Sequence, residues 1–383
     1  MMPPHRVLLV TKSTAGVAEY IRWLVNGMNR SKFSFTVACL SEGSREFAAE
    51  LSQISGVQSF NLEMNRYRID PLLDAKVLFQ LAKHVRENDY DLIHAHASKP
   101  GYLARVAAVG TRIPVLYSPH GFSFHEGVSR FKAQVFAFLE RLAAPLTRFI
   151  ITVSSGERDL ARRYRIGSDS LFVVIHTGID PQPFRVPINV PQQKKNLEIP
   201  LATPIVGSVG RLNNQKSPLD FIRMAAVVHQ HQPDVNFIWV GTGPLDADAR
   251  AMTQEMGLSP VFHFLGQRQD VPALLHIMDC LVLPSRWEGF PLVVLEALAA
   301  DVPVVATDIS GTREAIEHGQ NGWLAPVGDA EAMAEFVLDI LKNPERASAF
   351  RTSGRKRIDD EFTSTRMISL LESIYLDALA STN

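Results

Sequence analysis

Cys280-Leu-Val-Leu-Pro-Ser-Arg-Trp-Glu-Gly-Phe-Pro-Leu-Val-Val-Leu-Glu296 is the stretch that decides the fold. Cys280 to Leu283 form a short apolar run of the kind that makes a buried strand. Pro291 suits the first position of a helix, because its ring fixes φ and its missing N–H costs nothing there. Glu288 then falls in the loop and Glu296 in the second helical turn. A helix start offers free backbone N–H groups and a positive dipole end. That suits a phosphate or a sugar hydroxyl held near Gly289 and Phe290, with Pro291 and Leu292 as donor-binding candidates of the same turn, and the two carboxylates accept from hydroxyls around that anion. Taken alone, the pair reads more readily as a solvated loop Glu and an exposed helical Glu, so its company matters.

The strand-then-helix rhythm runs along the whole chain. Val7–Thr11, Phe33–Leu40, Asp91–Ala95, Pro114–Ser118 and Phe149–Val153 read as buried strands. Helical patterns at Ala18–Asn29, Leu72–Glu87 and Phe131–Ala144 separate them, the alternation of a parallel sheet. After Gly178-Ile-Asp180 comes a polar, aperiodic tract punctuated by Pro181, Pro183, Pro187, Pro191 and Pro200, expected as a linker over 181–203. The rhythm restarts with strands at Ile205–Val209, Asn236–Val240, Val261–Leu265, Cys280–Leu283 and Val302–Ala306. The fold class is therefore α/β: two Rossmann-like domains, residues 1–180 and 204–363, facing each other across a cleft.

Composition agrees. A chain of 383 residues exceeds one ordinary core, and 46% hydrophobic with 21% charged residues fits a soluble globular enzyme. Cys39 and Cys280 lie in apolar strand-like runs and read as buried free thiols of a reducing compartment, too few for a disulfide framework or zinc cluster. The first strand follows Met1-Met-Pro-Pro-His-Arg with no room for a secretory signal, and the apolar run Val135–Leu139 stops at Glu140 and Arg141. A cytoplasmic protein is expected. Residues 1–180 carry 22 Lys and Arg against 16 Asp and Glu, whereas residues 181–383 carry 17 against 24. Much of the basic excess lies in Arg130, Lys132, Arg148 and Arg158 through Arg165, interleaved with Phe131, Phe136, Phe138 and Phe149. That mixture fits either contact with an anionic membrane or a core-facing helix with a solvated face. Nothing points to nucleic acid.

Pro204-Ile-Val-Gly-Ser-Val-Gly210 reads as a strand ending in glycine, followed by Arg211-Leu-Asn-Asn-Gln-Lys216 and a helix opening near Ser217-Pro218. A guanidinium and an ammonium at a strand's carboxyl end form a clamp suited to a diphosphate, though loops are also where such cations ordinarily sit. Gly210-Arg-Leu, Lys216, Glu288 and Glu296 together resemble the retaining GT-B glycosyltransferases of family 4, glycosyl transferases group 1. The resemblance spans nearly the whole chain and is densest from Gly207 to Leu324. It implies that Arg211 and Lys216 hold a nucleotide-sugar donor's diphosphate, that Glu288 faces the donor sugar and that Glu296 binds the ribose hydroxyls. It implies transfer with retention of anomeric configuration, and a final helix over 364–383 that crosses back to the first domain.

In the first domain, Thr11-Lys-Ser-Thr-Ala-Gly16 follows a strand, and Gly16 admits either a phosphate contact or a plain turn. The family has paired glycines here and this chain has one. His120, just past another strand in Tyr117-Ser-Pro-His120-Gly121, resembles the family's histidine beside the donor sugar. His94-Ala-His96-Ala-Ser98-Lys99 adds a polar rim. Two histidines at that spacing suggest a metal, but no third ligand accompanies them, so His96, Ser98 and Lys99 are read as acceptor-site lining. Asp246-Ala-Asp248 starts a helix, where dipole stabilisation explains it, and no metal or other cofactor is expected. Asp270 reads as a helix cap. The Ser98-Lys99 and Pro119–Phe124 segments look like those of bacterial enzymes that elongate lipid-linked saccharides for surface polysaccharides. That likeness, with the basic first domain, makes the expected acceptor a saccharide linked to polyprenyl diphosphate; the expected donor is a UDP-sugar. A non-hydrolysing sugar-nucleotide epimerase and a catalytically silent sugar-nucleotide-binding partner are the alternatives.

Overall fold

A computed structural model describes residues 3–13, 15–65, 70–125 and 127–380. The chain divides into two compact units, residues 1–177 with 364–383, and residues 178–363. The first unit carries β1 (His5–Thr11), β2 (Phe33–Leu40), β3 (Val57–Leu62), β4 (Leu92–His96), β5 (Val115–Ser118), β6 (Phe149–Thr152) and β7 (Phe172–Val174). These strands pair in parallel in the order β3-β2-β1-β4-β5-β6-β7. The second unit carries β8 (Ile205–Val209), β9 (Asn236–Val240), β10 (Phe262–Gly266), β11 (Cys280–Leu283), β12 (Val304–Thr307) and β13 (Trp323–Ala325). They too are parallel, in the order β10-β9-β8-β11-β12-β13. The fold is that of two Rossmann-like domains, the GT-B class.

The strand order decides where ligands go. In each sheet the connection reverses direction once, between β1 and β4 in the first unit and between β8 and β11 in the second. Loops leaving the carboxyl ends of such a strand pair diverge and leave a crevice. Strands buried on both faces explain the continuous apolar runs: β1 is buried from Val7 to Thr11, and β9 and β11 are buried throughout.

The last helix, Ser364–Ala380, packs in the first unit's core through Met367, Leu371 and Tyr375. A Cβ on Gly27 would lie 2.2 Å from Ile368 Cδ1, so that glycine lets the two helices approach closely. Residues 381–383 of the expected segment lie outside the described residues.

Several local expectations shift. The first helix is Ala15–Gly27 and not Ala18–Asn29, so Gly16 is an exposed residue of its first turn and not part of an open loop. Residue 14 of that stretch lies outside the described residues. Residues 181–203 are not a bare linker: they hold a turn at Gln182–Phe184 and a helix at Val190–Asn196, and they count with the second unit. Lys194 explains why, since its buried ammonium donates to the carbonyls of Leu201 and Thr203 at 3.2 and 2.8 Å and folds the tract on itself. Asp270 precedes the helix Val271–Leu275 without capping it, because Arg268 (2.8 and 2.7 Å) and Gln193 (3.1 Å) occupy its carboxylate.

Candidate active site

In the second unit the loops after β8 and β11 meet at the switch point. Lys216 Nζ lies 2.6 Å from Glu288 Oε1, joining residues 72 apart in the chain. Ser285 Oγ donates to the same oxygen at 2.7 Å, and Gln215 Nε2 reaches Glu288 Oε2 at 3.4 Å and the Trp287 carbonyl at 3.1 Å. The Glu288 side chain is 9% exposed and that of Lys216 19%. A carboxylate so covered needs a cation and donors, and this one has both.

The loop backbone is built to hold Lys216 there. Asn213 Oδ1 accepts from Lys216 N at 3.0 Å, a side-chain-to-backbone bond that fixes the loop. A Cβ on Gly210 would sit 3.2 Å from Lys216 Cγ and Cδ, so the lysine stem lies across that glycine. Ser217 takes a left-handed conformation, φ +46°, to start the helix Pro218–His231, and Asp220 accepts from its hydroxyl at 2.5 Å. Arg211 is exposed, and its side chain has no hydrogen bond or ion pair among the described residues.

Pro291 is the cap residue of the helix Leu292–Ala299 rather than its first member, one position from expectation, with extended backbone at φ −80° and ψ 107°. Extended geometry suits the residue before the helix, and Leu292 becomes the first helical residue. Phe290 is buried with its ring 5.3 Å from that of Phe362, whereas Gly289 and Glu296 are half-buried. Gly311 closes the rim: a Cβ there would meet the Glu288 and Gly289 carbonyls at 2.7 and 2.9 Å. Asp246 and Asp248 open the helix Asp246–Glu255, and Arg250 binds Asp246 at 2.8 Å.

In the first unit the corresponding loops carry imidazoles. His96 Nδ1 lies 3.0 Å from His120 Nε2. His94 lies between Tyr375 Oη, 2.7 Å from Nδ1, and Ser118 Oγ, 2.9 Å from Nε2. Tyr20 stands edge-on to His120 with ring centres 4.6 Å apart. Burial pushes His94 and His120 down to about 3, helped at His94 by His120 and at His120 by the Lys12 ammonium, and holds His96 well below its ordinary range. All three are neutral at physiological pH.

His120 takes φ +50° and Gly121 φ +99°. Glu157 holds this turn, accepting from Gly121 N at 2.6 Å and Val153 N at 2.9 Å, while Ser154 Oγ accepts from Glu157 N at 3.1 Å. Glu157 was not singled out in the sequence, although Ser154-x-x-Glu157 has the spacing of a capping box. His96 is fully buried, so it cannot line an acceptor site as expected. Ser98 and Lys99, at the start of the helix Ser98–Ala107, do line a pocket of about 110 Å³, with Lys12 and Gly121. Lys99 also pairs with Asp74 at 2.7 Å.

Residues 15–178 match the glycosyl transferase 4-like domain and residues 189–357 match glycosyl transferases group 1. The chain belongs to this family of glycosyltransferases. Among its relatives, the Escherichia coli UDP-Gal:alpha-D-GlcNAc-diphosphoundecaprenol alpha-1,3-galactosyltransferase is 29% identical over 82% of this chain and 82% of that protein. The Campylobacter jejuni N,N'-diacetylbacillosaminyl-diphospho-undecaprenol alpha-1,3-N-acetylgalactosaminyltransferase is 27% identical over 86% of this chain and 89% of its own. In fold, Anabaena HepE in complex with UDP superposes with a TM-score of 0.81 at 21% identity, over 97% of this chain and 100% of that one.

Proposed function

We propose that this glycosyltransferase moves a sugar from a UDP-sugar to a saccharide carried on polyprenyl diphosphate, with retention of anomeric configuration. The observation that carries the reading is the junction of Lys216 and Glu288 at a switch point, with Arg211 unpaired in the same loop. As the diphosphate departs, negative charge grows on its oxygens, and fixed cations there lower the barrier without reorganising solvent. The Lys216 ammonium has three donors and one carboxylate partner, so it can share itself between Glu288 and a phosphate. Glu288, anchored by Ser285 and Gln215, positions the sugar, and Glu296 receives the ribose hydroxyls. Arg211 and Lys216 do the work a metal would do, so activity should survive a chelator.

The two relatives named for diphosphoundecaprenol acceptors support the acceptor class. The pocket holding Lys12, Ser98 and Lys99 at a helix start suits an acceptor's phosphate. Calorimetric titration with UDP, GDP, ADP and NAD tests the donor site. Selective UDP binding that Glu296→Ala weakens supports the reading, and binding of NAD alone would end it.

The membrane part of the proposal rests on the helix Arg130–Ala143. Phe131, Val135, Phe138 and Leu142 are exposed, Phe131 by 79%. At about 100° per residue they fall within about 60° of arc, with Lys132 on one flank and Arg130 and Arg141 on the other. The helix's one acid, Glu140, points inward, where Arg105 (2.7 Å) and the Tyr117 hydroxyl (2.9 Å) hold it. An apolar stripe between cations, with no exposed acid, complements an anionic leaflet. Phe136 and Phe149 pack inward and do not belong to the stripe. Among the described residues no helix is long and apolar enough to cross a membrane, so contact would be peripheral, at the inner face of the cytoplasmic membrane. Co-sedimentation with phosphatidylserine vesicles, lost on Phe131→Ser with Phe138→Ser, is expected. Equal binding by that variant, or none by the parent at low salt, would remove the membrane contact.

A further inference from the structure

Buried His96 and half-buried His120 share one hydrogen bond, and either ring could be its donor. Their ring planes meet at 22° with centres 5.3 Å apart, and the nitrogens are 3.0 Å apart, which is the geometry of an in-plane bond between nearly coplanar imidazoles. With both rings neutral, a single proton lies between them and each ring carries its one N–H at one of two nitrogens. His96 Nε2 is buried and has no hydrogen-bond partner among the described residues. If His96 carried its proton there, a buried N–H would be orphaned. If it carries the proton on Nδ1, only a lone pair goes unmatched, and buried N–H groups tolerate that fate less readily than acceptors do. The cost of an unmade buried donor, about 1–3 kcal/mol, is enough to select the tautomer.

We infer that His96 is a positioning residue: it donates from Nδ1 to His120 Nε2 and so fixes His120 as the Nδ1–H tautomer, a neutral donor toward a ligand oxygen. His120 Nδ1 itself has no partner among the described residues. Tyr20, packed edge-on against His120, and the strained turn pinned by Glu157 hold the ring in that plane. In this arrangement His120 gives a hydrogen bond to a sugar hydroxyl or phosphate and does not take a proton from one at Nδ1. The use of that donor rests on the glycosyltransfer proposal above, whereas the tautomer does not.

Side-chain 15N NMR of histidine in the ligand-free protein reads the tautomer directly. The proton is expected on His120 Nδ1 in the parent and in His96→Asn, whose amide N–H stands where Nδ1–H stood. In His96→Phe the preference should be lost. An Nε2–H tautomer of His120 in the parent, or an unchanged tautomer in His96→Phe, would overturn the inference. In turnover, His96→Phe should lower kcat about 5- to 10-fold, the worth of one neutral hydrogen bond, with His96→Asn restoring most of it. Equal loss in both variants at unchanged melting temperature would assign His96 a packing role only.

Discussion

The two switch points solve the same problem with opposite chemistry. In the second unit the crevice keeps its charges: Lys216 and Glu288 pair at 2.6 Å, and Arg211 stays exposed. In the first unit the corresponding strand ends are lined with rings stripped of charge, His94 and His120 at about 3 and His96 well below its ordinary range. Burial makes the difference. The imidazoles sit on β4 and at its neighbour's end, and none of them forms an ion pair among the described residues, so desolvation wins. Glu288 is nearly as covered, but it has an ammonium and a hydroxyl to replace water. On the proposed function, the second unit meets the changing charge of the leaving diphosphate and the first reads shape and hydroxyls.

That contrast breaks most readily at the cations. Arg211→Ala or Lys216→Ala should lower kcat by at least about 10²-fold, the scale of losing one donor to a developing anion. Lys216→Ala also leaves Glu288 covered without its cation, so its melting temperature should fall more than that of Arg211→Ala. Near-parental turnover in both would show that the second unit does not work by charge. Glu296→Ala is expected to weaken UDP binding about tenfold, the loss of a hydrogen bond to a charged group, with the fold intact by circular dichroism. Unchanged affinity would remove the ribose role.

Much of this was legible in the sequence because parallel strands buried on both faces read as unbroken apolar runs. β2, β8, β9 and β11 stand at their expected residues. β3 was not legible: Val57-Gln-Ser-Phe-Asn-Leu62 is an edge strand, mostly half-buried, and its polar residues hide it. β7, three residues long, is too short to carry a pattern. In the site, the Lys216 and Glu288 loops could each be read, but not that their side chains meet, since no local spacing encodes a contact across 72 residues. Ser285 and Asn213 lie in the same loops, but hydroxyls and amides there ordinarily serve as turn formers, so their residue types alone do not mark them. His94 is the extreme case. Its partner Tyr375 lies 281 residues away on the final helix, and only the fold brings them together.

His94 also offers a measurement that sharpens the contrast without any substrate. An imidazole at about 3 when folded and about 6.5 when unfolded is neutral in the native state while the unfolded chain takes up a proton. Stability linked to His94 is therefore full above pH 6.5 and drains as pH falls toward 3. Between pH 6.5 and 4.5 its share is about 2 kcal/mol. His94→Phe loses the bonds to Tyr375 and Ser118, so it should be less stable than the parent at pH 7. Its urea-unfolding free energy should nevertheless fall less steeply on acidification, and the two curves should converge. Parallel curves would mean that His94 takes up its proton in the native protein over the same pH range as in the unfolded chain, so that burial does not keep this ring neutral on acidification.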